Sequence, residues 1–587
     1  MAHIVQVADT VVQLLSDLFS RSIQTAFPEI NPVAFVEVTK STQSSFGHYQ
    51  LNSAMKLAKE CKSNPRKVAE AIVSHMPECS DIIEKLEIAG PGFINIWLNV
   101  EFLQKRVRDL IDLEHLGVKA PRKEKIIIDF SSPNTAKEMH VGHLRSTIIG
   151  DCLARTFEFL GHEVVRVNHI GDWGTSFGML IAYIKEFHKE SVTLKEELTL
   201  TDLVAFYKAA KKLFDEDAAF KKRSQEEVVR LQSGEKEAVV LWEAICDISR
   251  RAYQEVYDLL DVRLIERGES FYNKWLSEVV QDLEDKGLVT VSEGAKCIYL
   301  EGFFNREGEP LPLMVQKSDG GYNYDTTDMA AIRHRIQDEK GDRLIYVTDA
   351  GQANHFAMIF QAAIKAGYLD PAKVRTDHVP FGLVLGPDGK KFRSRSGDTE
   401  RLMDLLETAI VRALAILKER NPDWSEEDCN TVAKALGINA VKYSDLVCHR
   451  ISDYSFSYDK MLRFEGNTAA FVMYSYVRVL GIQRKVGVDV EKILANTSLE
   501  LEHLSEIALG LHLARFAEVI ASVADELLPN RLTEYLYELA ELFNAFFRDC
   551  RVEGSEQQNS RLILVEATRK VLQQGITLLG LSTVGKM

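Results

Sequence analysis

Residues 125–169 constrain the fold of this chain more tightly than any other stretch. The apolar run Lys125–Phe130 reads as a buried strand, 141–160 has helical period, and Glu163–His169 reads as a second strand. Strand, helix and strand in that order form a βαβ unit, the beginning of a parallel sheet. Open sheets of this kind bind ligands beyond the C-terminal ends of their strands. Attention therefore falls on the loop that leaves Phe130 and enters the helix.

With 587 residues the chain is about four times the usual domain length, so several domains are expected. Residues 1–120 mix helical patterns (Val5–Phe19, Asn52–Met76) with a strand-like run at Gly92–Leu98, and the charged stretch Lys119–Lys125 places a boundary near 120. Residues 121–400 carry the α/β rhythm. A charged helical insertion at about 181–265 (Phe214–Leu231, Glu235–Leu260) interrupts it, and it resumes through Lys296–Leu300, Asp319–Tyr324, Arg343–Thr348 and Asn354–Ala366. From 401 to 587 nearly every window is helical, including Thr431–Tyr443, Ala469–Gln483, Ser498–Leu528, Glu534–Phe547 and Ser560–Leu579. The expected fold class is α/β: a Rossmann-type parallel sheet with a helical insertion, an α+β N-terminal domain before it and an all-α domain after it.

Hydrophobic residues at 46% and charged residues at 27% exclude collagen, coiled coil and a disordered chain. The eight cysteines are spread singly, without CxxC or zinc spacing, which fits a reducing compartment and no structural metal. Apolar stretches such as Val164–Val167 fall short of the ~20 residues of a membrane span, and no basic-then-apolar leader opens the chain. The expectation is a soluble, cytoplasmic monomer with no membrane partner. A net charge of −15 argues by itself against a nucleic-acid partner. Residues 1–120 and 431–587 each sum to only −2, however, which leaves room for basic patches at both ends.

The loop after the first strand reads Ser131-Ser132-Pro133-Asn134-Thr135-Ala136-Lys137-Glu138-Met139-His140-Val141-Gly142-His143-Leu144-Arg145-Ser146. Imidazoles at i and i+3 of a helix start can both donate to phosphate oxygens, where the helix dipole and free N–H groups already favour negative charge. Gly142 leaves room for a purine against the backbone. Attack at the α-phosphate of ATP builds negative charge on the transferring group, and preorganised donors gain most there, so nucleotidyl transfer is the expected chemistry. The competing reading is a chance tetrapeptide whose histidines cap a helix; the strand before it and the helix after it favour function.

The run SPNxAKxMHVGHLRS closely resembles the signature of class I aminoacyl-tRNA synthetases in its arginyl-tRNA synthetase form, with Asn134, Lys137, His140 and His143 at matching positions. Further landmarks of that family follow in order: Gly171-Asp172-Trp173-Gly174, Gly268-Glu269-Ser270, Tyr324 with Asp328, and Tyr346-Val347-Thr348-Asp349-Ala350-Gly351-Gln352. The resemblance covers essentially the whole chain. It implies an arginine–tRNA ligase using ATP as substrate, with Mg2+ bound along with ATP, and with L-arginine and its tRNA as partners. It also implies that activation of arginine waits for bound tRNA.

A guanidinium is planar with five donors, so a selective pocket requires carboxylates in its plane. Tyr324 and Asp328 are i and i+4 and share a face if that segment is helical. The resemblance implies that Asp328 and Glu269 receive the guanidinium, that Tyr324 and Gln352 shape the pocket, and that Asn134 holds the α-amino end. Asp172 either orients the ammonium group or caps a loop. The family's second signature, KMSKS, corresponds here to Gly389-Lys390-Lys391-Phe392-Arg393-Ser394-Arg395-Ser396-Gly397-Asp398, which departs from it. Lys391 and Arg395 are the expected phosphate contacts, with the register between Ser394 and Arg395 open. The resemblance implies that Lys137 compensates for the lost lysine.

In the C-terminal part, Phe471-Val472-Met473-Tyr474-Ser475-Tyr476-Val477-Arg478 resembles the family's anticodon-binding helix. Tyr474, Tyr476 and Arg478 are candidates for stacking on unpaired bases or meeting phosphate, or else are core contacts. Near the N-terminus, Ser45–Tyr49 and Gly90–Ile96 resemble the family's additional domain, which contacts the tRNA D-loop. Phe93 and Asn95 are the candidate contacts there; the alternative is a turn followed by a core strand. Leu581–Met587 also resembles the family's C-terminus and is expected to dock.

Overall fold

The computed structural model describes residues 7–188, 198–386, 388–392, 400–487 and 489–587. At its centre lies a five-stranded parallel sheet formed by Lys125–Asp129, Glu163–Asn168, Ile265–Glu266, Arg343–Asp349 and Arg375–Phe381. Numbered along the chain, the strands lie in the order 5-4-1-2-3. This is the doubly wound arrangement, with its switch point between the first and fourth strands. Ile126, Ile127 and Ile128 are buried, as expected for a strand covered on both faces. The α/β expectation holds, and the helix Val141–Phe159 follows the first strand as the βαβ pattern requires.

The N-terminal part is a four-stranded antiparallel sheet, ordered Val38–Lys40, Tyr49–Leu51, Phe93–Leu98, Ile83–Ala89, against helices Val11–Ala26, Ala54–Glu60 and Pro65–Ser74. The helix expected over Val5–Phe19 starts only at Val11, where Thr10 Oγ1 accepts the Gln13 N–H at 3.1 Å; residues 5 and 6 lie outside the described residues. The single helix expected over Asn52–Met76 is two. Asn64 caps the second through Arg66 N–H, and Pro65 occupies its first position, where its missing N–H costs nothing.

Between the second and third strands of the central sheet stand helices Thr175–Phe187, Leu200–Glu216, Ala218–Gln232 and Lys236–Leu260. The run Phe214–Leu231, expected as one helix, breaks at Asp217. That residue closes the first helix with its N–H on Leu213 O and opens the next by accepting Ala219 N–H. The strand expected at Lys296–Leu300 belongs to a three-stranded antiparallel sheet (Thr290–Ser292, Ala295–Phe304, Pro310–Gln316), and a turn then leads into helix Tyr324–Gln337.

The C-terminal region is helical: Leu402–Arg420, Glu426–Leu446, Ala469–Val486, Leu504–Ala514, Phe516–Glu526, Asn530–Asp549 and Gln558–Leu578, with short helices between. The segment expected as one helix over Ser498–Leu528 is divided at Arg515. Leu504–Glu526 has the length and composition to cross a membrane, but half of its most apolar window is buried inside the protein. The last residues dock as expected: Ser582 exchanges two hydrogen bonds with Asn439, and Lys586 meets Asp428 at 2.6 Å.

Candidate active site

The signature loop is held in a demanding conformation. Ser131, Ser132 and Ala136 all have positive φ (72°, 48° and 58°), at a cost of about 1–3 kcal/mol each for residues that carry a Cβ. The surroundings fix them. Ser131 N–H donates to Ser146 Oγ, Ser132 N–H to Asn168 Oδ1, and Ser132 Oγ to Asp129 Oδ1, each at 2.9 Å. One face of helix Lys236–Leu260 supplies the rest at four-residue spacing. Ser249 Oγ accepts Ala136 N–H, Tyr253 OH donates to the carbonyls of Asn134 and Lys137, and Tyr257 OH contacts Ser131 Oγ. The helical insertion therefore acts as a clamp on the loop.

His140 is the N-cap of helix Val141–Phe159. Its Nδ1 accepts Gly142 N–H at 3.1 Å, while His143 Nδ1 accepts His140 N–H at 3.1 Å, and the rings lie 4.2 Å apart. A side chain on Gly142 would meet the His140 ring at 2.9 Å, so glycine is what lets the ring fold back. Because each Nδ1 accepts, the proton of each neutral ring sits on Nε2. Burial and the charge of Lys391 lower the His140 pKa. Burial, with His140 and Lys137, pushes His143 down to about 3. Both rings are neutral at pH 7 and offer Nε2–H donors. The helix-cap and functional readings of the two histidines are thus compatible, one for each ring nitrogen.

Arg145, on the same helix, is fully buried. It pairs with Asp445 of helix Glu426–Leu446 at 3.1 Å and donates to the carbonyls of Gly382 and Ser452. His140 also forms an antiparallel bridge with Arg401, and Leu402 N–H donates to Met139 O. The signature is thereby tied to the entry of the C-terminal helices.

Across the sheet, Asn134 bridges to Gly171, where a Cβ would lie 2.0 Å from Asn134 Oδ1. Asp172 is buried. It accepts both N–H and Oγ–H of Ser270, at 2.8 and 2.5 Å, and burial raises its pKa. Of the two readings of Asp172, the loop cap is the one its hydrogen bonds express. Glu269 sits in the same turn. Burial and the nearby carboxylates of Asp328 and Asp172 push it up to about 8.

Tyr324 and Asp328 do share a helix, Tyr324–Gln337, and Gln352 ends the turn after the fourth strand, on the other side of the switch point from the signature. Tyr324 and Gln352 are exposed. Asp328 already has a partner: His355 Nε2 lies 2.6 Å from its Oδ2, and His169 Nε2 lies 3.9 Å from its Oδ1. Despite burial, these contacts hold Asp328 below its ordinary pKa. His169 N–H in turn donates to Ser132 Oγ, which links the Asp328 surroundings to the signature loop.

Comparison with known proteins gives the family. The family model described as class I (R) tRNA synthetase, catalytic domain, matches residues 106–458; the arginyl-tRNA synthetase N-terminal model matches 13–98, and the DALR anticodon-binding model 472–587. An arginine–tRNA ligase of Protochlamydia amoebophila is 62% identical over 99% of this chain and 100% of its own length. The chain belongs to the arginyl-tRNA synthetase family. A relative of the same description from Chlamydia caviae is 51% identical over 98% of this chain and 100% of its own. The solved arginyl-tRNA synthetase of Plasmodium falciparum superposes with a TM-score of 0.87 at 35% identity, covering 99% of this chain and 100% of the other.

The remaining residues expected from the family pattern are placed unequally. Lys137 is exposed over the Tyr207 ring at 5.5 Å. Lys391 is exposed on a turn bridged to Leu385, and Arg395 lies outside the described residues. Tyr474 is 47% exposed; Arg478 is half-buried, bonded to Asn544 and stacked on Phe547. Tyr476 is only 6% exposed and belongs to the core, so its ring presents no surface for a base. Phe93 is half-buried. Asn95 is 1% exposed with its Oδ1 accepting from Gln50, so it too is corrected from a surface contact to a buried one. Sequence reasoning missed His355, His169 and Asp325. The available signal was the Gln352-x-x-His355 spacing, which puts both residues on one helical face.

Proposed function

We propose that this chain is an arginine–tRNA ligase that works in two steps. The carboxylate of arginine attacks the α-phosphate of ATP, forming arginyl-adenylate and releasing pyrophosphate; a hydroxyl of the terminal ribose of tRNA then takes the arginyl group. Proximity and charge stabilisation account for both steps without a covalent enzyme intermediate. One observation carries the reading: two neutral Nε2–H donors stand at a helix start beside the switch point, joined through Ser132 and His169 to the Asp328 carboxylate.

In this reading His140 and His143 donate to the phosphates and Gly142 underlies the purine. Lys137, Lys391 and Arg395 supply positive charge. Asn134 holds the α-amino group, Asp328 and Glu269 take the guanidinium, and Tyr324 and Gln352 bound it. Asp172 positions the Glu269 turn through Ser270. Among the described residues no cluster of three or more His, Cys, Asp or Glu is arranged to hold a metal. Mg2+ in this reading enters with ATP, its ligands coming from the phosphates. Residues 1–120 serve the tRNA D-loop through the face around Phe93, 121–400 the chemistry, and 401–587 the anticodon through Tyr474 and Arg478. The enzyme acts as a monomer in the cytoplasm, and arginine activation waits for tRNA.

The test is ATP–pyrophosphate exchange with arginine, lysine or citrulline, with and without total tRNA. Exchange with arginine only when tRNA is present is the expected result. Absence of exchange in every mixture, with tRNA still bound, overturns the catalytic reading.

A further inference from the structure

We propose that His355 is a positioning residue that sets specificity in the arginine subsite, locking one oxygen of Asp328 and leaving the other for the guanidinium. The proposal rests on the ligase reading above and adds a residue that the family pattern did not supply.

His355 stands in the first turn of helix Ala353–Lys365 and reaches across to helix Tyr324–Gln337. Its Nε2 is 2.6 Å from Asp328 Oδ2, and its Nδ1 is 3.2 Å from Asp325 Oδ1. Both ring nitrogens face carboxylates, and only the doubly protonated ring donates to both. Asp325 is buried, and its other oxygen accepts Met314 N–H at 3.2 Å, so that side of the bridge is anchored. The ring is boxed edge-on by Tyr324 and Phe356, with centroids 5.1 and 5.2 Å away. Among the described residues, Asp328 Oδ1 by contrast meets only His169 Nε2 at 3.9 Å, beyond hydrogen-bond reach.

A carboxylate tied through one oxygen has its plane fixed before substrate arrives. A guanidinium gains from that plane because its donors form a rigid fork, whereas an ammonium is a point charge that gains much less. His355 therefore favours arginine over lysine and also neutralises part of the charge of Asp325 and Asp328 while the pocket is empty. Other ionisable groups acting on this cluster are Glu269, His169, Arg335 and Tyr346 through Asp328, Cys297 through Asp325, Tyr324 through both carboxylates, and His378. Burial opposes the charged His355 ring, but the bonds to Asp325 and Asp328 prevail and raise its pKa to about 9. As pH rises through that value, one carboxylate loses its donor and arginine binding weakens.

The experiment measures the KM for arginine, the KM for ATP and kcat in tRNA-dependent exchange for the wild type, His355→Ala and His355→Gln, with Tm for each. Expected are a rise of at least tenfold in arginine KM for His355→Ala, an ATP KM within twofold, and partial recovery in His355→Gln, whose amide keeps one donor near the Nε2 position. The wild-type arginine KM should worsen above about pH 9 relative to His355→Ala; the substrate α-amino group titrates for both proteins, so the ratio isolates His355. An unchanged arginine KM overturns the proposal, as does an equal rise in both KM values with a lowered Tm, which marks a merely structural role. A wild type without arginine-dependent exchange overturns the ligase reading itself, an outcome distinct from either.

Discussion

His143 Nδ1 accepts the backbone N–H of His140 at 3.1 Å, while the His140 ring accepts Gly142 N–H at the same distance. Each histidine thus contributes one nitrogen to the helix start and carries its proton on Nε2. The two roles separate experimentally. Asparagine is as good an N-cap as any residue, so His140→Asn should preserve Tm while slowing adenylate formation at least tenfold. His140→Ala should lose the rate and about 1 kcal/mol of stability as well. Neither should change tRNA affinity by much; exchange assays, thermal melting and tRNA binding check the three parts.

Asp328→Ala removes the carboxylate that the proposed pocket offers to the guanidinium. Arginine KM should rise far more than ATP KM, by about ten- to a hundredfold for a charge-assisted hydrogen bond worth ~1.5–3 kcal/mol. Steady-state kinetics in each substrate decides it, and an equal effect on both places Asp328 outside the pocket.

Glu269, pushed up to about 8 by burial and by Asp328 and Asp172, carries its proton at pH 7. A guanidinium favours the ionised form, so arginine binding should release a proton and tighten as pH rises from 6 to 8, then level off. Calorimetry at pH 7 in buffers of different ionisation enthalpy should report that proton, and Glu269→Gln should abolish it. In the absence of ligand the sign reverses: the stability contribution of a group with raised pKa is full below its unfolded value of ~4.3 and is lost as pH rises through about 8.

Arg145 and Asp445 form a buried pair between the signature helix and the C-terminal helices. Arg145→Met leaves Asp445 buried without a counter-charge and should cost about 3–5 kcal/mol. The double variant Arg145→Met with Asp445→Leu should recover most of that loss, because it is the orphaned charge that destabilises. Denaturant titration of the single and double variants measures both quantities.

Tyr474 and Tyr476 lie two residues apart on one helix and differ in exposure, 47% against 6%. Tyr474→Ala should weaken tRNA binding by the ~1–3 kcal/mol of a lost base stack and leave Tm unchanged. Tyr476→Ala should do the reverse, opening a core cavity at a cost of about 3–5 kcal/mol, by analogy with other large aromatic truncations. Filter binding and melting curves distinguish them.

Local signals made much of this protein legible from its residues. The Lys125–His169 pattern is an unbroken exchange of buried strand for helix, and the position of His140 and His143 at the helix start is fixed by the chain itself. The helix breaks at Asn64-Pro65 and Asp217 were also present as capping residues, although hydrophobic period alone ran across them. The division at Arg515 was not legible in that way: this residue turns toward Glu518, which receives Tyr49 OH and Val12 N–H from the N-terminal part of the chain.

The α/β class, the family and the set of chemical groups that could act are readable along the chain, because hydrophobic period, capping residues and motif spacing are properties of neighbours. Long-range packing alone sets which of those groups face one another. It turned Asn95 and Tyr476 inward, directed Asp172 to Ser270, and set His355 between Asp325 and Asp328. Those outcomes depend on packing between segments far apart in sequence, where burial and charge are shared among elements that no local pattern connects.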